Sequence, residues 1–267
     1  MKSAVHIQVA ANTKSSYLKK SYVETPFKVA NITEDKENHP LQLVLMSSSP
    51  GILDTDEYEL KIELEQDAAL HLYSQAYQRI FKMKQQATQQ LHVSLGHGSS
   101  FTYLPHPTVP HEDSSFTSRN HFYLANSCRF VYGEILTCGR KLNGEQFSFT
   151  KFHSITHLYI NDKLVVKENL LMMPALVNVD ALGQLEGYTH QASLLYWQEN
   201  INIADLQQQL IKLLSPEKNI EVGISALNGS GIIIRLLGLG AEQLYRCLLN
   251  INAHLPVQIF KKQVHGC

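Results

Sequence analysis

The chain has 267 residues, 44% of them hydrophobic and 18% charged, with 23 Lys+Arg against 24 Asp+Glu. That near-neutral balance excludes a disordered polyelectrolyte and gives no sign of a nucleic-acid partner, while the length suits one large β domain with one core. Four cysteines, Cys128, Cys138, Cys247 and Cys267, are too few and too scattered for a disulfide framework, so a reducing, cytoplasmic setting is expected.

From the N-terminus, Met1 to Tyr17 holds an apolar stretch broken by His6 and Gln8, which does not read as an export signal, and no later run has the length of a membrane span. Strand signals follow at Leu41 to Met46 and then at Tyr58 to Leu64, where apolar and charged side chains alternate with period two. Further runs lie at Ala69 to Tyr73, Gln90 to Leu95, His121 to Ala125, Phe130 to Leu136, Ile155 to Ile160 and Ala192 to Trp197. Turn chemistry separates them at Ser49-Pro50-Gly51, Asn143-Gly144 and Asn161-Asp162, and Thr33 to His39 reads as a polar loop. Taken by themselves these runs have the pattern of a many-stranded antiparallel fold.

Two helices are predicted late, Ile203 to Leu214 with Pro216 as a stop, and Ala241 to Ile251 with Leu244, Tyr245, Leu248 and Leu249 as its apolar stripe. Between them Ile220 to Leu227 and Ile232 to Leu237 flank Asn228-Gly229-Ser230-Gly231, a hairpin turn. The expectation is a single domain over 1–267 with a β-α-β-β-α tail at about 201–255. The helical stripes are read as core.

Chemistry is sparse. His92, His97, His106, His111 and His121 thicken one region beside Glu112 and Asp113, and imidazole with carboxylate suits nickel, zinc or copper. No pair has the helical spacing of a zincin, and surface or satisfied core histidines explain each one singly. Pro105 and Pro107 hold His106 in an extended loop. There is no nucleophile elbow, and the glycines at 229–231 and 238–240 lack the order and the lysine of a phosphate cradle, so no nucleotide is expected on this chain. Asp54, Asp56 and Glu57 crowd one turn: Asp54 and Asp56 are placed to face a shared cation, or to bond their own backbone.

Several segments, in order, resemble the UreD/UreH family of urease accessory proteins across about residues 20–255. They are Pro26-Phe27, then Ser49 through Asp56, then Ser74 through Phe81, then Phe101 through Pro110. Tyr132 through Ile135, Gly139-Arg140, Gly144 through Phe147 and Ile234 through Gly238 complete the set. Departures are Asp54 and Thr55 in place of family glycines, Arg79 where lysine is common, and His111 at a position usually aromatic. Positive φ is tolerable for Asp but an outlier for β-branched Thr55.

The resemblance implies a mainly β, layered and coiled fold, β-helix-like, with two helices near the C-terminus. It also implies a non-enzymatic scaffold that joins UreF and the GTPase UreG, bridges them to apo-urease and passes nickel in transit. By motif position the conduit carboxylates fall on Asp56 and on Glu168, with Asp54, Glu134, Glu145 and Arg140 as secondary candidates and His106 and His111 as weak metal ligands. Glu134 and Glu145, near Arg140, read also as structural ion pairs. Scattered oxygens let nickel move on where thiolates would trap it. Two other readings stand beside this one. A metal-dependent hydrolase would use the histidines of 92–121 with Asp113 as base, and a β-sandwich module would bind carbohydrate, although the single Trp197 lies in an apolar run.

Overall fold

The structure, a computed structural model, describes residues 1–34, 40–227 and 230–256. The chain opens with β1 (Lys2–Ala11) and β2 (Ser16–Val23), followed by β3 (Phe27–Asn31) and β4 (Leu41–Ser47). It then winds. One coil is β5 (Glu57–Leu64), β6 (Ala69–Gln75) and β7 (Gln78–Ile80), and the next is β8 (Ala87–Leu95), β9 (Ser100–Tyr103) and β10 (Thr108–Pro110). β11 (Ser115–Leu124) and β12 (Arg129–Thr137) form a third, and β13 (Lys151–Ile160) starts a fourth that folds back as β14 (Lys163–Met172). β15 (His190–Gln198), α1 (Ile203–Leu214), β16 (Ile220–Leu227), β17 (Gly231–Gly238) and α2 (Ala241–His254) give the expected β-α-β-β-α order at the end.

Successive coils stack strand on strand, giving a β-helix with three walls. The first wall is a seven-stranded sheet in the order β14-β13-β11-β8-β5-β1-β2. The second contains β16-β17-β15-β12-β9-β6-β4-β3, and the short third wall is β7 against β10, with Ile52 bridging Ile80. The winding strands pair in parallel, β1-β5-β8-β11-β13 on one wall and β4-β6-β9-β12 on the other. The antiparallel expectation is therefore corrected. Antiparallel pairing is confined to the margins and the C-terminal strands. Period-two alternation reports that one face is wet, not the direction of the neighbour, so it could not tell the two apart.

The walls differ in burial for a sequence reason. β5 alternates exposed charge with buried Tyr58, Leu60, Ile62 and Leu64, because the outer face of the first wall meets water. β12, β15 and β17 are nearly continuous apolar runs, because both their faces are covered. Phe130, Tyr132 and Leu195 face the β-helix interior, whereas Val131, Leu194, Tyr196 and Ile234 face α1 and α2. Two apolar clusters thus sit on opposite faces of one sheet where one core was expected.

Asn202 caps α1 through Asp205 N–H, and Leu206, Leu210 and Leu214 are buried, as the stripe predicts. In α2 the buried residues are Leu244, Cys247, Leu248 and Ile251. Leu249 is 39% exposed, so it leaves the predicted stripe. Asn161 and Asp162, at φ 47° and 61°, make the tight turn between β13 and β14. Asn228 and Gly229 of the other predicted hairpin lie outside the described residues, as does most of the predicted polar loop. Cys128, Cys138 and Cys247 are buried free thiols. Among the described residues no helix is long and apolar enough to cross a membrane.

Candidate functional site

A cavity of about 1050 Å³ opens on the third wall. Ser49 to Ile52, Gln75 to Arg79, Pro105, His106 and His111, Thr137, Gly139 to Asn143 and Leu239 to Glu242 all line it, so segments far apart in the chain share one rim. Gly51 is required there, since a Cβ at this position would collide with the Arg79 carbonyl and come within 2.8 Å of the Phe81 ring. The following turn carries Thr55 at φ 65°, the left-handed region, while Asp54 has no positive φ.

Asp54 and Asp56 face different ways and share no cation position. Asp54 accepts the backbone N–H groups of Lys84 and Gln85, each at 3.0 Å, and so ties this turn to the one before β8. Asp56 is buried and accepts from Leu53 N–H at 2.8 Å, Tyr58 Oη–H at 2.7 Å and the Met1 amino group at 2.9 Å. Burial alone pushes the Asp56 carboxyl up, but these donors outweigh it and hold the group below its usual range. Tyr58, the partner of Asp56, lines the cavity.

Arg140 and Glu145 form an ion pair at the rim, Arg140 Nε donating at 2.9 Å to Glu145, whose other oxygen meets Nη2. Glu134 is not part of it, which corrects that pairing. His106 has Nδ1 at 3.3 Å from Ser74 Oγ and stacks on Tyr245 at 4.7 Å. His111 is buried with its ring against Phe81, and burial, then Arg140, lower its pKa, so it is neutral near pH 7.

The hydrolase reading finds no gathered ligand set. His92 is on the outer face of the first wall, His97 follows β8, and Asp113 is ion-paired with Lys82 at 2.6 Å. Among the described residues no group of three or more His, Cys, Asp or Glu side chains is placed to hold a metal ion.

A second cavity, about 280 Å³, lies inside the β-helix between β12, β13, β14, β15 and β17. Its polar lining includes Glu134, Ser154, Thr156, Glu168 and Arg235. Ser154 Oγ donates to Glu134 at 2.9 Å, and Thr156 Oγ1 accepts from Asn120 Nδ2 at 3.0 Å, with Ser118 Oγ beyond it at 3.2 Å from Asn120 Oδ1. Ser118, Asn120, Ser154 and Thr156 are all buried, in strand positions that face an apolar interior elsewhere. Sequence reading missed these four. Their signal is a polar residue at every second position of Ser118-Arg119-Asn120 and Ser154-Ile155-Thr156, in the inward register.

Burial pushes the Glu134 carboxyl from 4.5 up to about 7, the Ser154 hydroxyl opposes the shift, and the charge of Glu168 adds to it. Glu168 itself receives Arg235 Nη2 at 2.8 Å on each oxygen. Glu168 therefore lines the second cavity, whereas Asp56 lines neither and meets the first only through Tyr58. The two cavities approach one another through Tyr103 on the first and Tyr132 on the second, whose ring centres are 6.2 Å apart.

Comparison with known proteins bears on both cavities. The family model described as UreD urease accessory protein matches residues 1–265. A protein of Flavobacterium johnsoniae called urease accessory protein UreD is 48% identical over 244 residues, covering 90% of this chain and 87% of its own. Proteins of the same name from Haemophilus influenzae strain PittEE and Acetivibrio thermocellus are 35% and 32% identical, over 91% of this chain and 94% and 92% of theirs. With the coiled β architecture and a match over nearly its whole length, this chain belongs to the UreD family of urease accessory proteins.

Proposed function

We propose that this chain is a non-catalytic maturation scaffold, which joins a UreF–UreG complex to apo-urease in the cytoplasm and lets nickel pass through the β-helix interior. The observation that carries the reading is the oxygen lining of the second cavity: the buried hydroxyls of Ser154 and Thr156 with Asn120 behind them, and the half-buried carboxylates of Glu134 and Glu168, beside an otherwise apolar coil. Buried polar groups are costly unless paired, and these pair with one another, which keeps a hydrophilic wall in one interior register where apolar side chains would otherwise stand. Oxygen donors hold a borderline divalent ion loosely enough for release, and the buried free thiols stand apart from this cavity.

Glu134 and Glu168 are the ion-facing carboxylates of this reading, and Arg235 competes with the ion for Glu168. Asp56 acts through Tyr58 on the wall of the large cavity, and the half-open rim of that cavity is where a partner segment docks. The test measures two quantities on one preparation, recovery of UreF and urease in a pull-down and nickel content of the activated urease. Glu134→Gln and Glu168→Gln are expected to keep assembly and lower nickel content at least three-fold in combination. Full nickel loading by the double variant would reject the passage, and proportional loss of assembly would leave only the scaffold.

A further inference from the structure

Inside the β-helix, one row of the first wall is polar from one cavity to the other. Strand pairing sets Tyr58 beside Gln89, Gln89 beside Ser118 and Ser118 beside Ser154, one residue from each of four successive coils. Inward positions elsewhere on these strands are apolar, among them Leu60, Leu91, Phe122 and Phe152, apart from Asn120 and Thr156 on the next rung. Tyr58 and Gln89 line the first cavity and Ser154 lines the second, whereas Ser118 lines neither. Neighbouring strands lie about 4.8 Å apart, so this single residue covers the step of roughly 10 Å from Gln89 to Ser154.

We propose that Ser118 joins the two cavities into one hydrophilic path, its hydroxyl positioning a hydrated divalent cation at the step between them. This role rests on the passage of nickel through the coil, and Ser118 is the residue on which the continuity of that passage depends. The hydrogen bonds of the row give it a polarity. Tyr58 Oη–H donates to Asp56 at 2.7 Å, Ser118 Oγ–H to Asn120 Oδ1 at 3.2 Å and Ser154 Oγ–H to Glu134 at 2.9 Å. Each hydroxyl thus commits its proton to a neighbour on its own side and keeps its lone pairs. Lone pairs accept from the water shell of a cation, whereas an anion meets no donor among these three hydroxyls.

The row continues on both sides of Ser118. Gln89 Oε1 accepts from Gln78 Nε2 at 2.9 Å, which holds its amide at the inner end of the first cavity, and Asn120 passes the Ser118 contact on to Thr156 Oγ1 at 3.0 Å in the second. On the second wall Tyr103 and Tyr132 are paired across β9 and β12, the first sharing a cavity with Gln89 and the other with Ser154. Aromatic rings therefore bound the same step from the other wall, and the polar contacts belong to the first wall alone. An apolar side chain at 118 would make the ion cross this rung without a polar neighbour, and stripping water from a charge is the largest cost an apolar interior imposes.

The experiment follows Ni²⁺ loading of apo-urease in time, with the full-length chain in complex with UreF and UreG, and expresses the rate per assembled complex recovered by pull-down. It compares Ser118→Thr, which keeps the hydroxyl, with Ser118→Val, which has the same shape without it. Ser118→Val is expected to load at least five-fold more slowly than Ser118→Thr. Equal rates in the two, at whatever level, overturn the role of the hydroxyl. Glu134→Gln/Glu168→Gln, run in parallel, separates the two ways of failing: slow loading there with equal Thr and Val rates keeps the passage and rejects Ser118, and wild-type loading in all three variants rejects both. Should the valine variant fail to assemble, Gln89→Met decides, since it places an apolar chain of similar length on the same row. About a three-fold slower rate is expected for it, and a wild-type rate overturns the row.

Discussion

The Asp56 turn and the Glu134–Glu168 cavity place carboxylates in the same β-helix under opposite conditions. Asp56 has a donor for each oxygen and a lowered pKa, and its charge organises Leu53, Tyr58 and the start of β5. Glu134 has one hydroxyl donor, a like charge nearby and a pKa raised to about 7. A buried carboxylate whose hydrogen bonds are complete stabilises the fold, whereas one left short of donors costs stability and is kept for another reason. On the proposed function, the contrast distinguishes a fold-holding acid from an ion-facing one, where sequence position treats Asp56 and Glu168 alike.

The largest expected effect is on the satisfied side. Asp56→Ala leaves Tyr58 Oη and Leu53 N–H without their acceptor and should destabilise the chain by about 3 kcal/mol at pH 7, read by urea unfolding. The lowered pKa fixes the sign of the pH dependence. The contribution of Asp56 is fully present above the ordinary value of 3.8 and is lost as pH falls through the lower folded value. Wild type and variant should therefore converge in strong acid. A gap that stays constant from pH 7 to pH 2 would show that the carboxylate charge is not what holds the turn.

Glu134→Gln should act in the opposite direction. Its folded pKa lies above 4.5, so the neutral form is favoured by folding, and the stability it gives below pH 4.5 is lost as pH rises through about 7. The glutamine variant escapes that loss. It should be more stable than wild type by about 2 kcal/mol at pH 8 and indistinguishable at pH 4.5, after allowance for partial access of water. Melting curves at the two pH values decide it, and a variant less stable than wild type at pH 8 would mean that Glu134 has donors beyond Ser154.

Much of this frame is legible in the residues. The alternation of Tyr58 to Leu64, the capped helix from Ile203 and the Asn161-Asp162 turn depend on local chemistry, and each stands where its pattern puts it. The two late helices follow from their apolar spacing, whereas the coiled winding of the strands comes from the resemblance, since periodicity by itself suggests antiparallel pairing. β1 has its own signal in Ser3, Val5, Ile7 and Val9, which alternate inward, although His6 and Gln8 make the same stretch read as a broken apolar run. At the site, Glu168 and Glu134 were nameable from motifs. Arg235 as the partner of Glu168, and Ser154 as the partner of Glu134, are fixed by strand pairing across 67 and 20 residues, and no local signal carries that information.

Thr55 offers a smaller test on the Asp56 side of the comparison. A β-branched residue at φ 65° is strained, and glycine occupies that region without strain but loses more chain entropy on folding. The net expectation for Thr55→Gly is a gain of about 1 kcal/mol, the local strain of 1–3 kcal/mol less the entropy term. A loss of stability would show that the Thr55 side chain makes a compensating contact, which mutation to Ser would then retain in part.

The smallest stability change is expected at Glu168, and there the comparison is sharpest. Arg235 and Glu168 are 56% and 32% exposed at their side chains, so water screens the pair and competes for both partners. Exposed pairs of this kind contribute about 0–1 kcal/mol. Glu168→Gln should thus shift the melting temperature of the chain by no more than a degree or two, unlike Asp56→Ala. Its effect on nickel should be the reverse of that order. Removing the Glu168 charge takes an anionic oxygen ligand from the second cavity and relieves the field on Glu134, so nickel content of activated urease falls while assembly is retained. Arg235→Gln frees Glu168 from its competitor without removing the carboxylate, and a structural ion pair and an ion-facing acid predict different results for it. If the pair only braces β14 against β17, both variants lose the same small stability and neither alters nickel loading. If Glu168 meets the ion, Arg235→Gln holds nickel at or above the wild-type level and Glu168→Gln does not, a divergence between two partners of one bond that a purely structural role cannot produce.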